Sequence, residues 1–139
     1  MRKLFLALTV VTAVGALAST ATASGPKLPP YGFYCAKYDC FQLDKSGTKI
    51  ASFQGRCTAT KHPKYLFDTP PYFSIKSNGA FTYDKQNAVN TPDGGTLAKT
   101  SRVTIDGKFV SRSEAKGTYQ LHKKGCTKVS FDAKLSQGG

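Results

Sequence analysis

The chain has 139 residues, four cysteines and no tryptophan, and its 20 lysines and arginines against 8 acidic residues give a formal net charge of +12. That length fits one domain of common size, and charge of this sign and size favours polyanions as partners. Glu114 is the sole glutamate, which excludes a hydrolase built on a glutamate pair.

Residues 1–23 read as a cleaved secretory signal. Arg2 and Lys3 supply the positive start, Leu4 to Ala18 the apolar run, and Ala21-Thr22-Ala23 the small-residue cleavage pattern. The apolar run is shorter than the ~20 residues of a spanning helix, and no second apolar segment is long enough to cross a membrane. The expected product is a secreted protein, monomeric, with residues 24–30 as a flexible proline-rich lead. Residues 31–139 are then a single domain.

In chain order, YGFYCAKYDCFQL concentrates Tyr31, Phe33, Tyr34, Tyr38 and Phe41 around a polar AKYD interval, and predicts a hairpin. Lys49 to Cys57 reads as a strand with either Ala51 and Phe53 or Ile50 and Ser52 facing inward. Thr58 to Pro71 has His62-Pro63 and Pro70-Pro71 and reads as a loop. Phe73-Ser74-Ile75 and Phe81-Thr82-Tyr83 flank a Ser77-Asn78-Gly79 turn in which Gly79 can take positive φ. Gln86 to Lys99 has no period and reads as a long loop.

From Ser101 to Leu135 the period is two, which predicts half-buried antiparallel strands. Turns are expected at Asp106-Gly107, Ser113-Glu114 and Lys123-Lys124-Gly125, dividing four strands. A two-residue Asp-Gly turn sends Phe109 to the face opposite Ile105, whereas a three-residue loop returns it to the core. A one-residue slip inverts both faces, and burying Phe109 at ~2 kcal/mol favours the longer loop. Gly117 reads as a strand glycine that lets a neighbouring ring approach. With no helix predicted, the fold class is all-β: an antiparallel, disulfide-stapled β-sandwich, jelly-roll-like or barrel-like.

Cys35, Cys40, Cys57 and Cys126 in an exported chain read as two disulfides, with three connectivities open. Cys57–Cys126 is favoured because it ties the end of an early strand to the start of the last, leaving Cys35–Cys40 to clip the AKYD loop. Zinc is disfavoured, since the spacing is not CxxC and His62 and His122 lack ligand spacing. No metal or cofactor is expected.

No nucleophile, zinc-hydrolase or phosphate-loop motif occurs. A paired-carboxylate hydrolase would have to rest on the loop aspartates Asp68 and Asp93. Two surfaces offer binding instead. If Ala115, Gly117, Tyr119, Leu121, Val129, Phe131 and Ala133 face inward, then Lys116, His122, Lys128 and Lys134 face outward and Lys123 and Lys124 extend them at the turn. Such a stripe attracts polyanions in a salt-sensitive way, although Glu114 and Asp132 interrupt it. Tyrosines of the aromatic block, Tyr34 and Tyr38 among them, could stack on sugars or grip a protein; the competing reading is that these rings fill a core without tryptophan.

VTIDGKF, AKGTYQL, Cys126 and FDAKL, preceded by FSIKSNGAFTYD and by GRC at Gly55 to Cys57, occur in an order that resembles a largely uncharacterised family of small secreted β-sandwich proteins of high-GC Gram-positive bacteria. The likeness runs from about Lys49 to Leu135. It implies a β-sandwich fold and a Cys57–Cys126 pairing, with Cys35 and Cys40 as an addition, and it implies no activity. The expected function is a non-catalytic binding domain for an anionic polysaccharide or wall polymer. A secreted module that binds a protein partner, as an inhibitor or host-interaction factor, is the alternative, and a hydrolase ranks below both.

Overall fold

A computed structural model describes residues 28–138; residues 1–23, which read as a signal, and the first part of the expected lead lie outside the described residues. Within them the chain is all-β. The strands are β1 (Gly32–Cys35), β2 (Cys40–Leu43), β3 (Lys49–Arg56), β4 (Leu66–Asp68), β5 (Phe73–Ser74), β6 (Ala80–Asn87), β7 (Ser101–Ser111), β8 (Glu114–Leu121) and β9 (Val129–Gly138). They form one antiparallel sheet in the order β4-β3-β2-β1-β9-β8-β7-β6, with β5 paired to β3. Single bridges from Ile75 to Phe81 and from Leu66 to Asn90 link its far ends. The outcome is a sheet nearly closed into a barrel, in place of two separate stacked sheets. Closure of this kind removes most of the exposed strand edge.

Aromatic side chains fill the interior. Tyr34, Phe41, Phe53 and Phe67 come from β1 to β4 and stack in a row, with ring planes within 5° of parallel and centroids 5.3, 5.7 and 6.4 Å apart. Phe109, Tyr119 and Phe131, from the opposite strands, meet that row edge-on. Each such pair adds ~0.5–1.5 kcal/mol beyond area burial. The aromatic block at residues 31–41 therefore mostly builds the core, and Tyr34 is fully buried. Its hydroxyl donates to the carbonyls of Pro30 and Arg112 at 3.0 Å each, and burial pushes its pKa up to about 12. The first of these bonds, with the burial of Pro29, docks the end of the lead on the barrel.

Two local irregularities separate the strands from their simple patterns. β3 carries a bulge: Gln42 pairs with Ser52 while Leu43 pairs with Ile50. Ala51 is the extra residue, so Ile50 and Phe53 both turn inward, a combination that neither strict alternation allows. β7 shows the larger departure. It runs unbroken from Ser101 to Ser111 through Asp106-Gly107, so the meander has three strands and the expected first turn does not exist. Val103, Ile105 and Phe109 all lie on the buried face, and Phe109 pairs with Ala115. The other two turns stand, and Gly79 and Gly125 have φ of 83° and 84°.

Both disulfides form, Cys35–Cys40 across the β1–β2 hairpin and Cys57–Cys126 between the ends of β3 and the β8–β9 turn. Among the described residues, no helix is long and apolar enough to cross a membrane.

Candidate functional site

The register of β6 to β9 places the sequence-predicted cations on the outer face, but it places acids beside them. Lys108 pairs with Lys116, and Lys116 with Asp132. The Lys116 ammonium lies 3.0 Å from Glu114 and 3.2 Å from Asp132; these contacts hold its pKa above the usual lysine value and Asp132 below the usual carboxylate value. On the neighbouring strands Arg102 grips Asp84 in a two-pronged pair of 2.7 and 2.6 Å, which lowers the Asp84 pKa. His122 shares a 2.9 Å hydrogen bond with the Thr104 hydroxyl. Lys134 faces Glu114 across the β8–β9 ladder. This face alternates in sign: Glu114 and Asp132 interrupt the basic stripe, as their positions in the sequence imply, and Asp84 adds a third acid.

The two tyrosines singled out also divide. Tyr34 is sealed in the core and cannot meet a ligand. Tyr38 is partly exposed, with Lys37 and the Arg56 guanidinium 5.0 and 4.8 Å from its ring centroid; the Arg56 charge there is already answered by Asp39.

A second group of cations lies at the end of the barrel held by Cys57–Cys126. The backbone N–H of Cys57 donates to Tyr65 (2.9 Å), that of Thr127 to Cys57 (3.0 Å) and that of Cys126 to Lys123 (3.0 Å). These bonds and the disulfide set the 58–65 loop against the 122–128 turn. Residues 57–67 and 118–131 contain no acidic residue and carry Lys61, Lys64, Lys123, Lys124 and Lys128 with His62 and His122. The ring of Tyr65 is flanked by the ammonium groups of Lys64 and Lys123, 5.4 and 5.0 Å from its centroid. Lys123 and Lys124 are legible as candidates, and so is Tyr65 as a loop tyrosine beside lysines; Lys61 and Lys64 are not, because single lysines in a loop carry no pattern of their own.

Beside this end, β3, β4 and the 88–100 loop enclose an open cleft of about 470 Å³. The loop is anchored by Leu66 and Asn90, which exchange backbone hydrogen bonds of 2.8 and 2.9 Å. Gln54, Asp68, Asn90, Thr91 and Thr96 line the cleft, and Asp68 is its one carboxylate among the described residues. Burial raises the Asp68 pKa, with a hydrogen bond from Gln54 opposing the shift. Asp93 is instead held in the loop tip by the Thr91 hydroxyl and nearby backbone, which lower its pKa.

Arg56 reaches the same cleft but is committed elsewhere. Its Nε contacts Asp39 at 3.1 Å, Nη1 donates to the Thr60 carbonyl at 2.8 Å, and Nη2 to that of Tyr38. Asp39 is 7% exposed and the Arg56 side chain 16%, so removing either strands a charge in a poorly solvated place. Asp39→Ala is expected to cost about 3 kcal/mol in chemical denaturation; a loss below about 1 kcal/mol, the range of exposed pairs, would show that this pair does not brace the fold.

Among the described residues no group of three or more His, Cys, Asp or Glu is placed to hold a metal ion. No protein-family model, curated protein or solved structure matches this chain.

Proposed function

We propose that the protein is a secreted, non-catalytic binding domain that holds an anionic polysaccharide or wall polymer, chiefly at the disulfide-held end of the barrel. The observation that carries the reading is Tyr65 between two lysines on a surface whose two contributing segments lack any acid. Opposite charges placed nearby would cancel such a field, as they do around Lys116; those segments supply none, and the acids from other strands lie beside Ala59, His122 and Lys128. The ammonium groups answer phosphate or carboxylate, and cation–π attraction to the Tyr65 ring gathers them at one place. Further support comes from the signal-like residues 1–23 and from two disulfides, which persist in oxidising compartments.

The test is retention on a matrix carrying a phosphate-rich wall polymer. Substituting Lys61, Lys64, Lys123 and Lys124 together by glutamine is expected to weaken binding roughly hundredfold or more at low salt, given ~1 kcal/mol per lysine near an anionic surface. Lys116→Gln, already neutralised within the sheet, elutes with the wild type. Retention that persists unchanged at high salt overturns the reading, and a one-to-one complex with a protein that survives high salt supports the protein-binding alternative.

A further inference from the structure

At the opposite end of β3 the backbone holds an aromatic side chain in an unusual way. Tyr72 has φ +72°, in the left-handed region that side chains other than glycine, asparagine and aspartate rarely occupy. It follows Pro70-Pro71, and its N–H donates to the Ile50 carbonyl at 3.1 Å, which pins it beside the start of β3. The side chain gains no burial in return, being 63% exposed. A strained residue that the core does not use points to a role at the surface.

The surroundings define that role. Tyr72 and Tyr31 line one open cleft of about 580 Å³ together with Gln42, Lys45 and Lys49. The Gln42 amide donates to the Tyr31 hydroxyl at 3.1 Å and sets that ring, while the Lys49 ammonium lies 5.8 Å from the Tyr72 centroid. Asp44 also borders the cleft, but both its oxygens are taken inside the 44–48 loop. Oδ1 accepts from the N–H groups of Thr48 (3.1 Å) and Lys49 (3.0 Å), and Oδ2 from the Ser46 hydroxyl (2.6 Å). What remains for a ligand is two phenol rings, an amide and two ammonium groups, one of which the Asp44 charge offsets, so the cleft keeps one net positive charge. An apolar ligand would leave the lysines unused, and a bare phosphate the rings. A sugar offers a C–H face to stack on tyrosine and hydroxyls for the amide, and an acidic substituent for the lysines.

We infer that this cleft is a subsite for a sugar ring bearing a carboxylate, of the uronic acid class. It lies ~23 Å from the disulfide-held end, the length of β3 from Lys49 to Arg56 at about 3.3 Å per residue, and it stands without the reading given above. Trigalacturonate titrated into the protein, followed by NMR, is expected to shift the ring resonances of Tyr31 and Tyr72, and neutral maltotriose to do so at least about tenfold more weakly. Tyr72→Gly keeps or raises the melting temperature, because glycine relieves the positive φ, yet binds the trimer about tenfold less tightly or worse. Tyr72→Phe, which keeps the ring, stays within about twofold of the wild type. Lys45→Gln with Lys49→Gln removes the preference for the acidic sugar. The variant lacking Lys61, Lys64, Lys123 and Lys124 still shows the tyrosine shifts, so failure of one site is separable from failure of the other. Unmoved Tyr31 and Tyr72 resonances at saturating trimer, or wild-type binding by Tyr72→Gly, overturns the inference.

Discussion

Replacing Gly117 by alanine is expected to lower the melting temperature by roughly 10 °C or more, an effect out of proportion to one methyl group. The cause is a cross-strand row in which Phe81 pairs with Gly107, Gly107 with Gly117, and Gly117 with Phe131. All four positions belong to the inner side of the sheet. The two glycines leave a hollow there, and the rings of Phe81 and Phe131 lean in from the flanking strands to fill it, 6.4 Å apart and 22° from parallel. A methyl group at Gly117 would meet the backbone of the next strand, with the Asp106 carbonyl closest and the Gly107 Cα at 2.7 Å, and the Phe131 ring at 2.8 Å. Overpacking costs ~1–3 kcal/mol where side chains can yield, and more where they cannot. Here the nearest atoms are backbone, which places Gly117→Ala at or above the top of that range.

Gly107 provides the control. A methyl group there would meet the ring of Phe81 first and Phe131 at 3.0 Å, both of them side chains. Gly107→Ala is therefore expected to regain about 1 kcal/mol when Phe81 is also changed to leucine, relative to the sum of the single changes. Gly117→Ala shows no such rescue with Phe131→Leu. Melting of Gly117→Ala within 2–3 °C of the wild type, about what ~0.5 kcal/mol would give, would refute the tight-row account.

The same row explains the main misreading of the sequence. Asp-Gly between alternating apolar residues is a strong hairpin signal, because glycine accepts positive φ. At Gly107 the glycine is present for another reason, the approach of two phenylalanine rings, and single-residue chemistry does not distinguish the two uses. Gly117, with no turn former beside it, was read correctly. The Ala51 bulge was hidden for a related reason: it matters only to the pairing with β2, which the sequence of β3 alone does not contain. β4 was lost in the 58–71 loop because three residues, Leu66 to Asp68, are too few to display a period.

At the candidate site the long-range pairing decided what was legible. The outward direction of Lys116, Lys128 and Lys134 followed from parity, and Glu114 and Asp132 already signalled partial cancellation. The acid-free runs at 57–67 and 118–131 are plain in the sequence, but each alone is an ordinary lysine-bearing loop. The Cys57–Cys126 link, with the Thr127 N–H to Cys57 carbonyl bond, makes them one surface. Tyr72 is legible only as a loop tyrosine; its backbone conformation is not, since a positive φ at a residue other than glycine is imposed by its neighbours.

Removal of Cys57–Cys126 by paired alanine substitution is expected to cost about 4 kcal/mol, and removal of Cys35–Cys40 about 2 kcal/mol, on the chain-entropy relation for loops of these lengths. The bridges span 69 and 5 residues. The short one closes a hairpin that the Ala36 N–H to Asp39 carbonyl bond (2.8 Å) already turns, so its loss is local. The long one restricts an unfolded chain over more than half the described length, and a loss of ~4 kcal/mol is a large share of the 5–15 kcal/mol typical of a domain. Urea denaturation of the two double variants measures the difference; equal losses would mean that loop length does not govern the effect. The long bridge has a second consequence that the short one lacks. Where the Cys57→Ala, Cys126→Ala variant is still folded, the 58–65 loop is joined to the 122–128 turn mainly by the Thr127 N–H to Cys57 carbonyl bond. Lys64 and Lys123 are then no longer held on either side of Tyr65, and retention on the anionic matrix is expected to fall toward that of the four-lysine variant. Retention equal to the wild type in that folded variant would separate binding from the bridge and leave Cys57–Cys126 a purely stabilising link.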